Sequence, residues 1–337
     1  MRAAHFFLLL PVLCLAASFS PFAEPAVLDV PANSTEKEIQ GALDRVATGG
    51  EVHLAAGTFL IHQPILLQGE HQTLRGSGLT TILKLADGAD CPVVILGAPL
   101  SVLPRSPGHL RVADLLIDGN QSHQPLETWK FAPDGSQINN SGVTAWDVTD
   151  AVVERVTCRQ CRSGGLVSAH GTRRLTVRDF IAFENHFDGL ACYQTEDSLF
   201  TGLFLHDNPS AGISLDLAFN HNVISNAMLV GNDLGVFMRD SHGNNFQALD
   251  VRHSRSHGIF MAQAGGQKGG VWRLMPGTQC TGNIFAGLII SDSGGKAFLV
   301  NNDTCTNNSI TGARFQDNSQ GGLVQAVPNL VSFQVSP

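Results

Sequence analysis

The sequence predicts an all-β protein, a parallel β-helix in which one repeat makes one coil. Three observations carry that expectation: a phrase that returns about every 23 residues, abundant glycine, and sparse charge. The chain holds 35 glycines in 337 residues, and charged residues make up 15%. Glycine costs about 1 kcal/mol at a helix interior position, so this composition suits short strands and tight turns. A hydrophobic fraction of 43% provides a core and excludes wholesale disorder. A net charge of −8 and a pI near 5.9 argue against a general nucleic-acid binder.

The repeat reads Gly142-Val-Thr-Ala-Trp146, Gly165-Leu-Val-Ser-Ala169, Gly189-Leu-Ala-Cys-Tyr193, Gly212-Ile-Ser-Leu-Asp216, Gly235-Val-Phe-Met-Arg239 and Gly258-Ile-Phe-Met-Ala262. Degenerate copies follow at Lys296-Ala-Phe-Leu-Val300 and at Gly322-Leu-Val. A second apolar segment follows each phrase, opening at Asn222, Asn245, Asn283 and Asn308. Polar pairs such as Glu184-Asn185, Asp207-Asn208, Gly231-Asn232 and Asp317-Asn318 close the units. Such short strands cannot bury a face alone, but stacked coils form a continuous core. The period is too short for a propeller blade, and the leucine consensus of leucine-rich repeats is missing.

Upstream, Thr35 and Glu38 form a capping box, and Ile39, Ala42, Leu43 and Val46 follow at helical spacing. An amphipathic helix there would cover the N-terminal end of the solenoid. Strands are expected at Val52–Leu54, Thr58–Ile61, Ile65–Leu67 and Ile82–Leu85. Residues 1–18 read as a secretory signal, with Arg2, the apolar stretch Phe6–Ala17 and small residues before a cut after Ser18. The apolar stretch is too short for a bilayer span. Its removal takes Arg2 and Cys14 and leaves six cysteines, an even number that fits an oxidising compartment. Residues 19–337 then read as one β-helix domain, with cap and first coils over 19–118 and repeats over 142–337. The expected location is secreted, extracellular or periplasmic.

The opening Gly49-Gly50-Glu-Val-His-Leu-Ala-Ala-Gly57-Thr58-Phe59, with Leu74-Arg-Gly76-Ser-Gly78, resembles that of pectin-lyase-like right-handed β-helix proteins. The resemblance covers nearly the whole chain after the signal. It implies the right-handed fold, and a function among lyases, hydrolases, epimerases and non-enzymes. Subfamily motifs are not met. Asn185-His186-Phe187-Asp188-Gly189 and His257-Gly258 are similar to polygalacturonase motifs, yet Ser210-Ala211 stands where paired aspartates are expected. The Asp-Pro-His motif of alginate epimerases is absent, because Gly189 follows Asp188.

Alternation assigns faces within the phrase. Positions one and three after glycine are apolar and inward, so positions two and four point outward. The fourth-position column is Trp146, Ala169, Tyr193, Asp216, Arg239, Ala262 and Val300. Beside it run Asp147, His170, Gln194, Leu217, Asp240, Gln263 and Asn301. Neighbouring coils lie about 4.8 Å apart, which puts the sole tyrosine, an aspartate and an arginine on successive rungs. The functional reading is a carbohydrate groove, with Tyr193, Asp216, Arg239, Asp188 and His257 as catalytic candidates. Trp146, His170, Gln194, Asp240, Lys268, Trp272 and Arg273 are the substrate-binding candidates. The bland alternative is an ordinary ladder carrying a weak surface ion pair.

Phe237, Phe260 and Phe298 form an outward column that the segment Val331–Val335 or a loop should cover. Insertions at 119–141 and 265–280 interrupt the repeat and hold Trp129 and Trp272. Arg239, Arg252, Arg255, Lys268 and Arg273 suggest a basic strip suited to a polyanionic glycan. Cys280 and Cys305 stand one coil apart, a spacing that permits a rung-to-rung disulfide, and Cys158 and Cys161 form a local pair. No cofactor is implied. Calcium on Asp188, Asp216 and Asp240 is conceivable, though they lie on separate coils.

Lyase or epimerase action on an acidic polysaccharide needs carboxylate neutralisation, a base and an acid. Arg239, Tyr193 and a histidine could supply these. Hydrolysis would instead use two of Asp188, Asp216 and Asp240. A non-catalytic glycan-binding or surface-structural solenoid remains the third reading. The expected partner is a polysaccharide, with no nucleic acid and no membrane span.

Overall fold

The computed structural model describes residues 25–98, 106–125, 130–131, 137–138, 140–262, 280–301, 303–325 and 331–334. The chain winds into a parallel β-solenoid of about 11 turns. Three parallel sheets line its sides: a long one of 16 strands, one of 10 strands built from the glycine phrases, and a ribbon of 4 two-residue strands. Each middle coil repeats one itinerary. Gly189-led Leu190–Tyr193 belongs to the phrase sheet, Thr195–Glu196 to the ribbon, and Leu199–His206 to the long sheet. The register is rung on rung, as in Leu166↔Leu190 and Leu190↔Ile213.

The corners between these strands need left-handed backbone, and the sequence supplies it mostly without glycine. Asp147, His170, Gln194, Leu217 and Asp240 all have φ between 44° and 61° where the phrase strand ends. Gln160, Glu184, Asp207 and His253 do the same where the long strand ends. Asp, Asn and His tolerate this region better than other side chains do. The phrase glycines have a different cause. A Cβ on Gly235 would stand 2.4 Å from the carbonyl oxygen of Gly258 and 2.3 Å from a Val251 methyl. The glycine is needed for close approach, not for φ.

Two buried asparagine ladders satisfy the corners from inside. The amide oxygen of Asn208 accepts from the Asn185 N–H and from the Asn185 side chain, at 3.2 and 3.0 Å. Asn232 does the same for Asn208, at 3.0 and 2.9 Å. The second ladder runs Asn222, Asn244, Asn283, Asn308. Its second member is Asn244, not the Asn245 that the sequence suggested. One apolar cluster runs through the coils from Val30 to Ile310.

Helix α1 (Glu36–Arg45) carries the expected capping box and buries Ile39, Ala42 and Leu43. The early strands appear where expected, at Gly50–Leu54, Gly57–Ile61, Ile65–Leu67 and Thr81–Leu85. Among the described residues, no helix is long and apolar enough to cross a membrane. The signal segment lies outside the described residues.

Three expectations are corrected. Phe298 pairs with Ile259, not Phe260, so the degenerate copy starts one residue later than the sequence suggested. Phe298 therefore points inward, fully buried, in a T-shaped contact with Phe285 at 5.0 Å between ring centroids. Val300 moves with it into the core, and Leu299 takes the outward place on Phe260. The cause is burial: the slipped register puts two large apolar side chains inside. Val331–Gln334 does not cover the phenylalanines, because it pairs with Asn308–Thr311 in the long sheet. Between 119 and 141 the chain forms a short turn at Gln121–His123 and an antiparallel ribbon, Lys130–Phe131 with Gln137–Ile138.

Asn208→Ala removes one ladder rung and strands buried donors on Asn185. It is expected to lower unfolding free energy by about 2–4 kcal/mol in denaturant titrations. Gln247→Ala, on the exposed face of the long sheet, should change it by less than about 0.5 kcal/mol.

Candidate functional site

The fourth position of the phrase brings Tyr193, Asp216 and Arg239 onto adjoining rungs, as the spacing predicts. Tyr193 pairs directly with Asp216 across the sheet. The Arg239 guanidinium donates to the Asp216 carboxylate and lies over the Phe237 ring, 4.9 Å from its centroid. The column is not an open surface ladder. Asp216 is 2% exposed and Trp146 is 8% exposed. The side chains lie along the sheet on one another rather than standing into water.

Shelter sets the proton affinities. Burial raises the Asp216 pKa above the usual carboxylate range, the Arg239 charge and a Leu217 N–H at 2.8 Å oppose it, and Asp240 adds to the rise. Asp188 precedes the glycine of the Tyr193 coil. Burial pushes its pKa up to about 6, against hydrogen bonds from the Ala211 N–H and Ser210. Burial also raises the Tyr193 hydroxyl, helped by the carboxylates of Asp188 and Asp216 and opposed by Arg239. Four groups therefore share one field: a protonated phenol, two carboxyls with raised proton affinity, and one guanidinium.

One feature of this site escaped the reading of the phrases. Leu217 and Ala218 both have positive φ, 50° and 67°, directly after Asp216. The coil holds one extra residue there: three positions separate Asp216 from its ribbon strand at Phe219, whereas Tyr193 and Arg239 are two from theirs. Bulges and left-handed non-glycine residues are costly and gather at functional sites. The signal was available, because the buried ladder positions Ser198, Asn222 and Asn244 are spaced 24 and then 22.

The other candidates separate. Trp146 stacks on His170 at 4.8 Å, so one indole face is occupied. His170, Gln194 and Asp240 are corner residues, and Asp240 is buried with His242 at 3.1 Å. His257 holds the place before the phrase glycine that Asp188 holds three coils earlier; its Nδ1 accepts from the Lys296 N–H at 2.9 Å and burial lowers its pKa. Lys268, Trp272 and Arg273 lie outside the described residues. The three described arginines of the basic strip do not share one face. Arg252 pairs with Asp250 on the long sheet, and Arg255 donates to the carbonyls of Gly231 and Asn208.

Cys280 and Cys305 are neighbours as expected, but as buried free thiols in contact rather than a disulfide. Cys158 and Cys161 are also free, buried and mutually hydrogen-bonded. Among the described residues no group of three His, Cys, Asp or Glu could hold a metal. Asp188, Asp216 and Asp240 thus form no calcium cage here.

Comparison with known proteins follows the same lines. Residues 121–269 match the family model described as periplasmic copper-binding protein (NosD). Mannuronan C5-epimerase AlgE4 of Azotobacter vinelandii is 27% identical over 190 residues, 52% of this chain and 32% of that protein. The chain aligns with only about a third of that relative's length. The AlgE4 A-module structure superposes with a TM-score of 0.55 at 18% identity, over 90% of this chain and 96% of that one. Endo-xylogalacturonan hydrolase from Aspergillus tubingensis gives 0.56 at 11% identity, over 93% and 100%. The resemblance to pectin-lyase-like β-helices therefore holds for the fold.

The raised Asp188 pKa has a consequence for stability. Between about pH 4 and pH 6 the folded state holds a proton that the unfolded state has released, so stability falls as pH rises through that window. Asp188→Asn keeps the acceptor and removes the titration. It should flatten the profile from pH 4 to 6 and stabilise the protein by about 3 kcal/mol above pH 6, read by denaturant melts.

Proposed function

We propose that the protein is a carbohydrate-active β-helix that abstracts the C5 proton of an acidic polysaccharide, as an epimerase or lyase. The observation that carries this reading is the shared field of Tyr193, Asp188, Asp216 and Arg239 on adjoining coils. Similarity to a mannuronan C5-epimerase supports a uronan, of alginate type, as the substrate class. An extracytoplasmic location belongs to the same reading, supported by the apolar stretch Phe6–Ala17.

The chemistry follows from the proton affinities. Abstraction at C5 leaves an electron pair that delocalises into the uronate carboxylate, and a guanidinium lowers the energy of that anion. Arg239 takes this role, and Asp216 holds it in place. Asp188, with a pKa of about 6, is largely ionised at neutral pH and accepts the C5 proton. Tyr193 stays protonated and acts as the acid. If its proton returns to C5 on the opposite face, the product is the epimer. If the C4–O bond breaks instead, Tyr193 protonates the leaving oxygen and a C4=C5 double bond remains.

Tyr193→Phe is expected to lower turnover on polymannuronate by about 10²–10⁴-fold, the range for a positioned proton donor, with KM little changed. Ultraviolet absorbance of unsaturated product and NMR of the epimer ratio read the two outcomes. Unchanged turnover in Tyr193→Phe and in Asp216→Asn would remove the column from the mechanism. New reducing ends without unsaturation would favour the hydrolase reading, and binding without any product would favour a glycan-binding solenoid.

A further inference from the structure

The outward second-position column changes character along the solenoid. Thr144, Val167, Ala191 and Ser214 are small and at most 8% exposed. Beyond the Asp216 rung come Phe237, Phe260 and Leu299, half-buried and register-paired, followed by exposed Val324. The Phe237 and Phe260 rings stack with centroids 5.6 Å apart and planes 20° from parallel. They form an apolar strip that starts beside the candidate site and runs toward the C-terminal coils.

Arg239 and Lys296 put a cation on each side of this strip. Arg239 lies over Phe237 at the end of its strand. At the other end, His257 lies 5.9 Å from the Phe260 centroid, with Lys296 on the next rung and Asp233 nearby. The two rings turn faces to each other, so the strip offers their apolar edges to the carbon-bound hydrogens of a pyranose, and the sugar carboxylate suits the basic flanks. The rung spacing of about 4.8 Å is close to the advance of one 1,4-linked pyranose along its chain.

We propose that Phe237 and Phe260 floor two subsites that hold the continuing chain of an acidic polysaccharide on the C-terminal side of Asp216. This rests on the proposed uronan chemistry and adds its polarity. The buried stretch Thr144–Ser214 offers no matching floor on the other side, so the longer arm of the substrate lies over Phe237 and Phe260.

The test is affinity and kcat/KM for oligomannuronates of increasing length, from dimer to octamer. The wild type should gain with length, and Phe260→Ala should cut that gain by about tenfold while Phe260→Tyr restores it. Lys296→Glu changes a side chain at the edge of the strip, where folding is less at risk. It should weaken long acidic oligomers and leave neutral oligomers of the same length unaffected. Length-independent affinity in the wild type, or equal losses on short and long oligomers in Phe260→Ala, would overturn the subsites while leaving the proposed chemistry intact. Failure of any uronan to bind the wild type would overturn both.

Discussion

Everything in this structure depends on rung-on-rung pairing of parallel coils. Each strand hydrogen-bonds to its copy one coil away, so a residue type at one phrase position is repeated at about 4.8 Å intervals. Pairing alone leaves the corners unsatisfied, and an unpaired buried backbone group costs free energy comparable to a lost hydrogen bond. The asparagine ladders meet that need. Asn185, Asn208 and Asn232 bond to each other and to the backbone, and the second ladder from Asn222 to Asn308 does the same two corners away. The phrase glycines leave room for the first ladder: a Cβ on Gly189 would stand 3.1 Å from the Asn208 amide nitrogen.

The same stacking builds the candidate site. A column that is neutral on most coils carries Tyr193, Asp216 and Arg239 on three in succession, and the sheet holds them at fixed separation. Shelter then does what sequence cannot specify directly. It raises proton affinity at Asp188, Asp216 and Tyr193 together, while Arg239 limits the rise at Asp216 and Tyr193. The strained Leu217–Ala218 corner fixes the chain directly after Asp216, where a regular coil would have one residue fewer. Such strain persists only where the surrounding structure over-determines it.

Much of this was legible in the sequence, because the period is regular and the inward positions are aliphatic. The coil, the cap and the three-residue column follow from spacing alone. What was not legible has particular causes. Lys296 stands where other phrases have glycine, so spacing alone points Phe298 outward; burial of Phe298 and Val300 sets the true register. Asn244 and Asn245 are adjacent, and the ladder bonds to Asn222 and Asn283 distinguish them. Burial of the Asp216 column depends on how side chains lie across neighbouring coils, which alternation within one strand does not report. Arg239 and Arg252 of the basic strip part company because nearness in sequence spans two different sheets.

On the proposed chemistry, Asp188 removes the C5 proton of a uronate beside the Tyr193–Asp216–Arg239 column. Incubation of the intact protein with polymannuronate in deuterated water, followed by NMR of the sugar, tests it most directly. Loss of the C5 proton is expected, either as deuterium at C5 of the inverted sugar or as a C4=C5 double bond. Retention of every C5 proton in sugars that the protein has nonetheless cleaved would contradict it.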